Sequence, residues 1–285
     1  MQCWRISKSG LKNLKAEFLT LLLIPCLLFI GTGSQAQLLR ADSINISSIR
    51  DATVDDYGNL YLSDAGGQIL KIEPSPLRLI RYAGNLTLAF DKVDAGLMNK
   101  IAAFSKAVQK VCFFDRNLNP IGELNLIPPL VQSTSCISMA SDNNCWVFDE
   151  TDLILKKINP VRNEVLAEFE CGSLVGDRDP VILDLEAYRN RIYLLGSDQA
   201  LHIFDSMGNL IRDWHHVQIS RLQFLGDYLV MKTGDKIILK NLYDESEVDK
   251  TVPDSLNRGR VLITRDYIYS LDRDIRIFPN RDTLP

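Results

Sequence analysis

One pattern constrains this chain more than any other. A short apolar run, a turn rich in Asp, Asn and Gly, a second short run and another tight turn follow one another, and the order then repeats. The first copy is the clearest: Ile49 to Val54, a turn at Asp55 to Asn59, Leu60 to Ser63, a turn at Asp64 to Gln68, Ile69 to Ile72, and a fourth run at Leu77 to Tyr82. The order returns at Cys136 (CISMA, SDNN, CWVFD, LILKKI, EVLAEFE) and at Val181 (VILDLEAY, RN, RIYLLG, SDQ, ALHIFD, SMGN, LIRDW). It returns again at Ile219 (ISRLQFL, GD, YLVMK, TGD, KIILKNL) and at Arg260 (RVLIT, RD, YIYSL, DR, DIRIF). A degenerate copy, KIAAFS and then KVCFFDRNLNPIGEL, lies between the copies at Ile49 and Cys136.

Aligned on their second strands at Tyr61, Ile101, Trp146, Ile192, Tyr228 and Tyr267, the copies recur near the ~40–50 residues of a propeller blade. Long helical periodicity is almost absent after residue 37. The expectation is an all-β, six-bladed β-propeller of four-stranded antiparallel blades. The turns agree, because Asp-Tyr-Gly-Asn, Ser-Asp-Asn-Asn and Ser-Met-Gly-Asn place residues that tolerate positive φ where tight hairpins need it. The last copy has three strands before Pro279, and a spare apolar segment, Leu38 to Ile46, precedes the first. Pairing that segment as the outer strand of the last blade would close the ring and cover an exposed edge.

The first 36 residues stand apart. Arg5, Lys8, Lys12 and Lys15 precede the apolar run Phe18 to Ile30, and GTGSQA follows it. A positive region, a short apolar core and a small-x-small end predict a secretory signal peptide over 1–36, cleaved after Ala36, with one propeller domain over 37–285. The run is shorter than the ~20 residues a span requires and holds Pro25, so no transmembrane span is expected after cleavage. With no sorting domain after the last blade, the periplasm is the expected compartment, the outer surface or secretion being the alternatives.

The leader carries four cations and one acid, so the formal charge of −4 becomes about −7 over residues 37–285. That balance, without any basic cluster, argues against nucleic acid as a partner. Cys112, Cys136, Cys145 and Cys171 remain in an exported chain, where an oxidising compartment permits disulfides and the spacing leaves all pairings open. A hairpin turning at Asp142 and Asn143 would set Cys136 opposite Asp149 rather than Cys145. Free buried thiols are the other reading.

The stretch DDYGNLYLSDAGGQILKIE resembles the repeat of six-bladed propellers of the NHL and gluconolactonase type. ISMASDNNCWVFDETDLILKKI is similar to exported propeller proteins of Bacteroidota. The first resemblance implies a central-channel site in which carboxylates and amides hold a divalent cation, calcium being the fit for such hard oxygen donors. On that reading the protein is a metal-dependent hydrolase of the lactonase type. The chain offers Asp51 on the first inner strand and Asp184 and Glu186 on the fourth, but lacks the Glu-Gly-Pro opening of those enzymes. The other role for these three is hydrogen bonding in the channel wall.

Other chemistries find little support. DRNLN, at Asp115, begins like a calcium loop, but Pro120 stands where Gly belongs and Leu126 where the bidentate acid belongs. The only histidines, His202, His215 and His216, fall on a third strand and at the end of a fourth, and no Gly-x-Ser-x-Gly motif occurs. Trp146, Tyr61, Tyr193, Tyr228 and Tyr267 recur at matching strand positions, as packing between blades requires. Asp42-Ser-Ile, Asp205-Ser-Met, Asp254-Ser-Leu and Asp282-Thr-Leu resemble the O-glycan acceptor of exported Bacteroidota proteins. The reading that follows is a non-catalytic binding or scaffold propeller of the cell envelope, docking an envelope partner on its loop face, with no cofactor.

Overall fold

The computed structural model describes residues 37–39, 49–83, 88–172, 181–215, 217, 219–233, 236–251, 259–272 and 274–280. The leader over 1–36 lies outside them. Strand β1 (Gln37–Leu39) precedes a first blade of β2 (Ile49–Val54), β3 (Leu60–Asp64), β4 (Ile69–Pro74) and β5 (Leu77–Tyr82). The second blade is β6 (Lys92–Leu97), β7 (Lys100–Ser105), β8 (Lys110–Phe114) and β9 (Pro120–Asn125). The third is β10 (Thr134–Met139), β11 (Cys145–Asp149), β12 (Ile154–Asn159) and β13 (Glu164–Glu170). The fourth is β14 (Ile182–Tyr188), β15 (Arg191–Gly196), β16 (Leu201–Asp205) and β17 (Leu210–Trp214). The fifth is β18 (Phe224–Leu225), β19 (Tyr228–Thr233), β20 (Lys236–Asn241) and β21 (Glu247–Thr251). The sixth holds β22 (Arg260–Ile263), β23 (Tyr267–Leu271) and β24 (Ile275–Pro279), and β1 completes it.

Each sheet has four antiparallel strands, and in the last the order is β1-β24-β23-β22. Gln37 faces Ile277 and Leu39 faces Ile275, so the expected closure of the ring is present, carried by residues 37–39. The burial patterns follow from this architecture. Second strands lie between two neighbouring blades: all of β11 is buried, and in β15 all but Arg191. Outermost strands alternate towards solvent, as along Glu164–Glu170. The core is a set of apolar seams between adjacent blades rather than one centre. Phe104, Phe113 and Leu124 of the second blade meet Ile137, Val147 and Ile158 of the third. Tyr61, Trp146 and Tyr193 are buried in three such seams, and Tyr228 and Tyr267 pack against two others. The recurring aromatics are therefore interblade packing.

The Asp-led turns share one construction. Asp55 accepts hydrogen bonds from the amides of Tyr57 and Asn59 and from the Asn59 side chain. Asp205 does the same with Met207 and Asn209, and Asp115 with Asn117 and Asn119. DRNLN is thus a turn, and the carboxylate of a calcium loop is spent on its own backbone. Gly58 and Gly208 adopt φ of +80° and +81° at the fourth turn position, where the degenerate copy carries Leu118 at φ 62°. Leu118 bears that conformation because its side chain is buried against Tyr61 and Phe114.

Two expectations need correction. Cys136 faces Phe148 rather than Asp149 and Met139 faces Cys145, because the turn holds three residues, Ser141 to Asn143, between the bonded Ala140 and Asn144, with Asn143 at φ 64°, rather than the two expected. The run Ile219 to Leu225 is strand only at Phe224–Leu225; its first half leaves the ladder and turns Arg221 towards the axis.

Candidate functional site

The inner strands surround a cavity of about 1020 Å³ whose wall includes Asp51, Lys92, Asp94, Asp184, Glu186, Arg221 and Arg260. The structure brings together the three acids singled out in the sequence, and adds basic partners that no local motif announces.

Asp51, on β2, is 3% exposed. Its Oδ2 accepts the Val93 amide at 2.9 Å, and its Oδ1 lies 3.0 Å from Arg260 Nη1 and 3.7 Å from Arg221 Nη2. Asp184, on β14, accepts the Leu222 amide at 2.8 Å on Oδ2. Lys92, on β6, reaches Asp184 Oδ1 at 2.7 Å, Glu186 Oε1 at 2.8 Å and the Leu185 carbonyl at 2.5 Å. Asp94 accepts the Met139 amide at 2.7 Å, the Ser138 hydroxyl at 2.9 Å and the Gly96 amide at 2.8 Å. Ser138 Oγ in turn accepts the Ala187 amide at 2.9 Å and lies 3.1 Å from Glu186 Oε2.

These contacts form a relay around the ring. A side-chain oxygen on one inner strand takes a backbone N–H from the next blade: Asp51 from the second, Asp94 from the third, Ser138 from the fourth, Asp184 from the fifth. Gln223 of the fifth blade donates to the Ile263 carbonyl of the sixth, and Arg260 of the sixth closes the circuit by donating to Asp51 and to the Ala52 carbonyl of the first. Each tie satisfies a buried donor that would cost about 1–3 kcal/mol unpaired.

The protonation states follow from these surroundings. Burial alone would raise the Asp184 carboxyl, but Lys92, Arg221 and the Leu222 amide outweigh it and hold it below its ordinary value. Burial pushes Glu186 the other way, up to about 8; Lys92 opposes this, and the neighbouring Asp94 and Asp184 add to it. Burial would lower the Lys92 ammonium, but the carboxylates of Asp184, Glu186 and Asp94 hold it above its usual range.

The donor set does not suit a divalent cation. Asp51 and Asp184 already face Lys92, Arg221 and Arg260 at ion-pair distance, so a metal would have to displace built-in cations. Among the described residues no group of three or more His, Cys, Asp or Glu is placed to hold a metal ion. Nor is a histidine among the described lining residues. His202 is buried on β16 with Nδ1 3.0 Å from Asp213 Oδ1, and exposed His215, just past β17, lies 3.4 Å from Asp213 Oδ2. His216 lies outside the described residues. Cys112, Cys136, Cys145 and Cys171 are free, buried thiols; burial raises Cys136 and Cys171 to about 11 and Cys145 to about 12, so none is a ready nucleophile. Of the acceptor-like tripeptides, only Asp205-Ser-Met is described, and it forms a turn with Met207 exposed. Among the described residues, no helix is long and apolar enough to cross a membrane.

Geometry and topology define a six-bladed β-propeller with a charged, self-neutralising channel wall. No protein-family model matches the chain, and no curated protein matches it. The resemblance to NHL and gluconolactonase-type repeats therefore rests on the turn motifs alone. Solved structures do match. A catalytically inactive virginiamycin B lyase from Staphylococcus aureus, with quinupristin, superposes with a TM-score of 0.55 at 12% identity, over 83% of this chain and 80% of that one. The WD40 domain of Neurospora crassa Pan2 gives 0.53 at 10% identity, over 83% and 90%. A streptogramin B lyase gives 0.54 at 10%, over 81% and 78%. At such identities the likeness is one of fold.

Proposed function

We propose that this propeller is an exported, non-catalytic binding or scaffold module of the cell envelope, working in the periplasm through its central cavity and loop face. The observation that carries this is the state of the channel acids. Asp51 and Asp184 are buried and paired with Lys92, Arg221 and Arg260, so the groups a hydrolase would use as base or metal ligand are committed to holding the wall. The lyase neighbour loses catalysis when one histidine is replaced by alanine, whereas His202 and His215 of this chain sit on the blade periphery. A cavity of about 1020 Å³ lies within or just above the size range of small-molecule sites. The leader, with its small-x-small end at Ala36, supports export.

The test is metal analysis of the purified protein before and after a chelator, with thermal unfolding in parallel. The binding module predicts no stoichiometric metal and no change of Tm. A tightly held cation whose removal lowers Tm would overturn this reading in favour of the metal-dependent hydrolase. Cell fractionation with N-terminal sequencing tests export: the mature chain should start at Gln37 and leave the cytoplasm.

A further inference from the structure

The cavity is not confined to the axis. Among the described residues, its lining in the first four blades comes from first strands and the turns that follow them, as with Thr53, Asp94, Ser141 and Glu186. In the fifth blade it reaches further, to Val230 and Lys232 of the second strand and Ile237 of the third. The cause is local. β18 pairs only Phe224 with Leu229 and Leu225 with Tyr228, whereas the same pairing in the fourth blade runs from Ile182 and Gly196 to Tyr188 and Arg191. The Val230 amide still donates to the Gln223 carbonyl at 2.8 Å, but beyond it the chain leaves the ladder.

The space so opened lies in the seam between the fifth and sixth blades, where Leu225, Val230, Ile237, Val261 and Ile263 line it. The buried apolar cluster of this seam is Val230, Ile237, Leu239 and Ile263, whereas a far larger set fills the seam between the second and third blades. Charge gives an ion no reason to enter. Around the axis Lys92, Arg221 and Arg260 stand against Asp51, Asp94 and Asp184, and burial favours the neutral form of Glu186. Lys232 already has a partner of its own, and Asp56 and Arg265 at the mouth are exposed to water. An ionised ligand would lose its hydration and meet a wall whose charges are already matched.

Building on the binding reading above, we infer that the cavity takes a small neutral molecule with an apolar body, seated in the seam between the fifth and sixth blades rather than on the axis. The mouth lies among the turns between first and second strands, where Asp56, Ser141, Arg189 and Gly226 are exposed lining residues, so the molecule enters from that face. Its body supplies the apolar cover that neighbouring blades give each other at the other seams. A hydroxyl or amide on it points towards the charged wall, where donors and acceptors are at hand.

The experiment is calorimetric titration of the purified protein at neutral pH with naphthalene-2-methanol, against naphthalene-2-carboxylate, naphthalen-2-ylmethylammonium and glucose. The alcohol should bind, and the two ions and the sugar at least about tenfold more weakly. Two variants locate the site. Val261→Trp, at a half-buried position in the seam, should lower the affinity for the alcohol at least about tenfold by filling the space. Ser141→Trp, at an exposed lining position on the third blade, across the ring from the sixth, should leave it unchanged. The comparison of alcohol with ions in the unaltered protein does not depend on the folding of either variant. Either ion, or glucose, binding as well as the alcohol would refute the neutral apolar class while leaving a binding cavity. Val261→Trp retaining full affinity, or Ser141→Trp losing as much, would refute the seam. No binding of any probe would refute the inference too, and the binding-module reading would then stand or fall on the chelator experiment.

Discussion

Replacing Glu186 with Gln should change how the stability of this protein depends on pH. In an unfolded chain the glutamate ionises near 4.5, but in the channel wall burial and its acidic neighbours raise it to about 8. Between those values the folded state keeps a proton that the unfolded state has released. Raising the pH through this window therefore favours unfolding, by about 1.4 kcal/mol per pH unit for one proton. Below about 4.5 both states are protonated and the effect vanishes; above about 8 both are ionised and the loss is complete, on the order of 5 kcal/mol. Gln is neutral throughout, can accept from Lys92, and can donate to Ser138. Asp184 shifts downward, so it titrates below this window, and every other group is common to both proteins and cancels in the difference. Urea denaturation at pH 5, 6, 7 and 8 would show the two proteins similar at pH 5 and the variant increasingly the more stable towards pH 8. Parallel profiles would refute the protonated Glu186.

Other perturbations test the frame. Asp51→Ala leaves Arg260 and the Val93 amide without their buried acceptor and should cost about 3–5 kcal/mol in the same denaturation assay; a loss under 1 kcal/mol would mean that the wall relaxes. Leu118→Gly relieves the positive φ but empties a buried site, and the net should be about 1–3 kcal/mol of destabilisation by the lowered denaturation midpoint; a stabilised variant would show that backbone strain outweighs packing there. Deleting residues 37–46 exposes the β24 edge and should lower Tm and give concentration-dependent association in sedimentation, whereas an unchanged monomer would show that the closure contributes nothing. Tyr269→Phe removes the buried hydroxyl that donates to the Gly58 carbonyl between the last and first blades and should cost about 1 kcal/mol, read as a lower Tm; an equal Tm would mean that water replaces the bond in effect.

Strands whose residues are buried on both faces announced themselves. Leu60–Asp64 and Ile69–Pro74 fall where the apolar runs between the Asp-led turns place them. The inner strand Lys92–Leu97 did not, because Lys92, Asp94 and Gly96 interrupt the apolar pattern; those charges are there because the strand faces the channel. Asp51, Asp184 and Glu186 could be picked out as acids on inner strands. Lys92, Ser138, Arg221 and Arg260 could not, since their partners arrive from other blades and local spacing carries no record of which blades meet across an axis. The register of Cys136 was missed for a local reason: the turn closes over three residues, with Asn143 rather than a Gly at the positive φ, and the sequence does not mark its length.

The composite last blade has a practical corollary. Because β1 pairs with β24, Gln37 and Pro279 belong to neighbouring strands of one sheet, and the order in which the blades are encoded is incidental to the ring. A short linker from Asn280 to Gln37, with new ends opened at the exposed turn bearing Val161, should yield the same propeller from a circularly permuted gene. The composite blade would then be covalently continuous, and the point of weakness would move to a blade that is now whole.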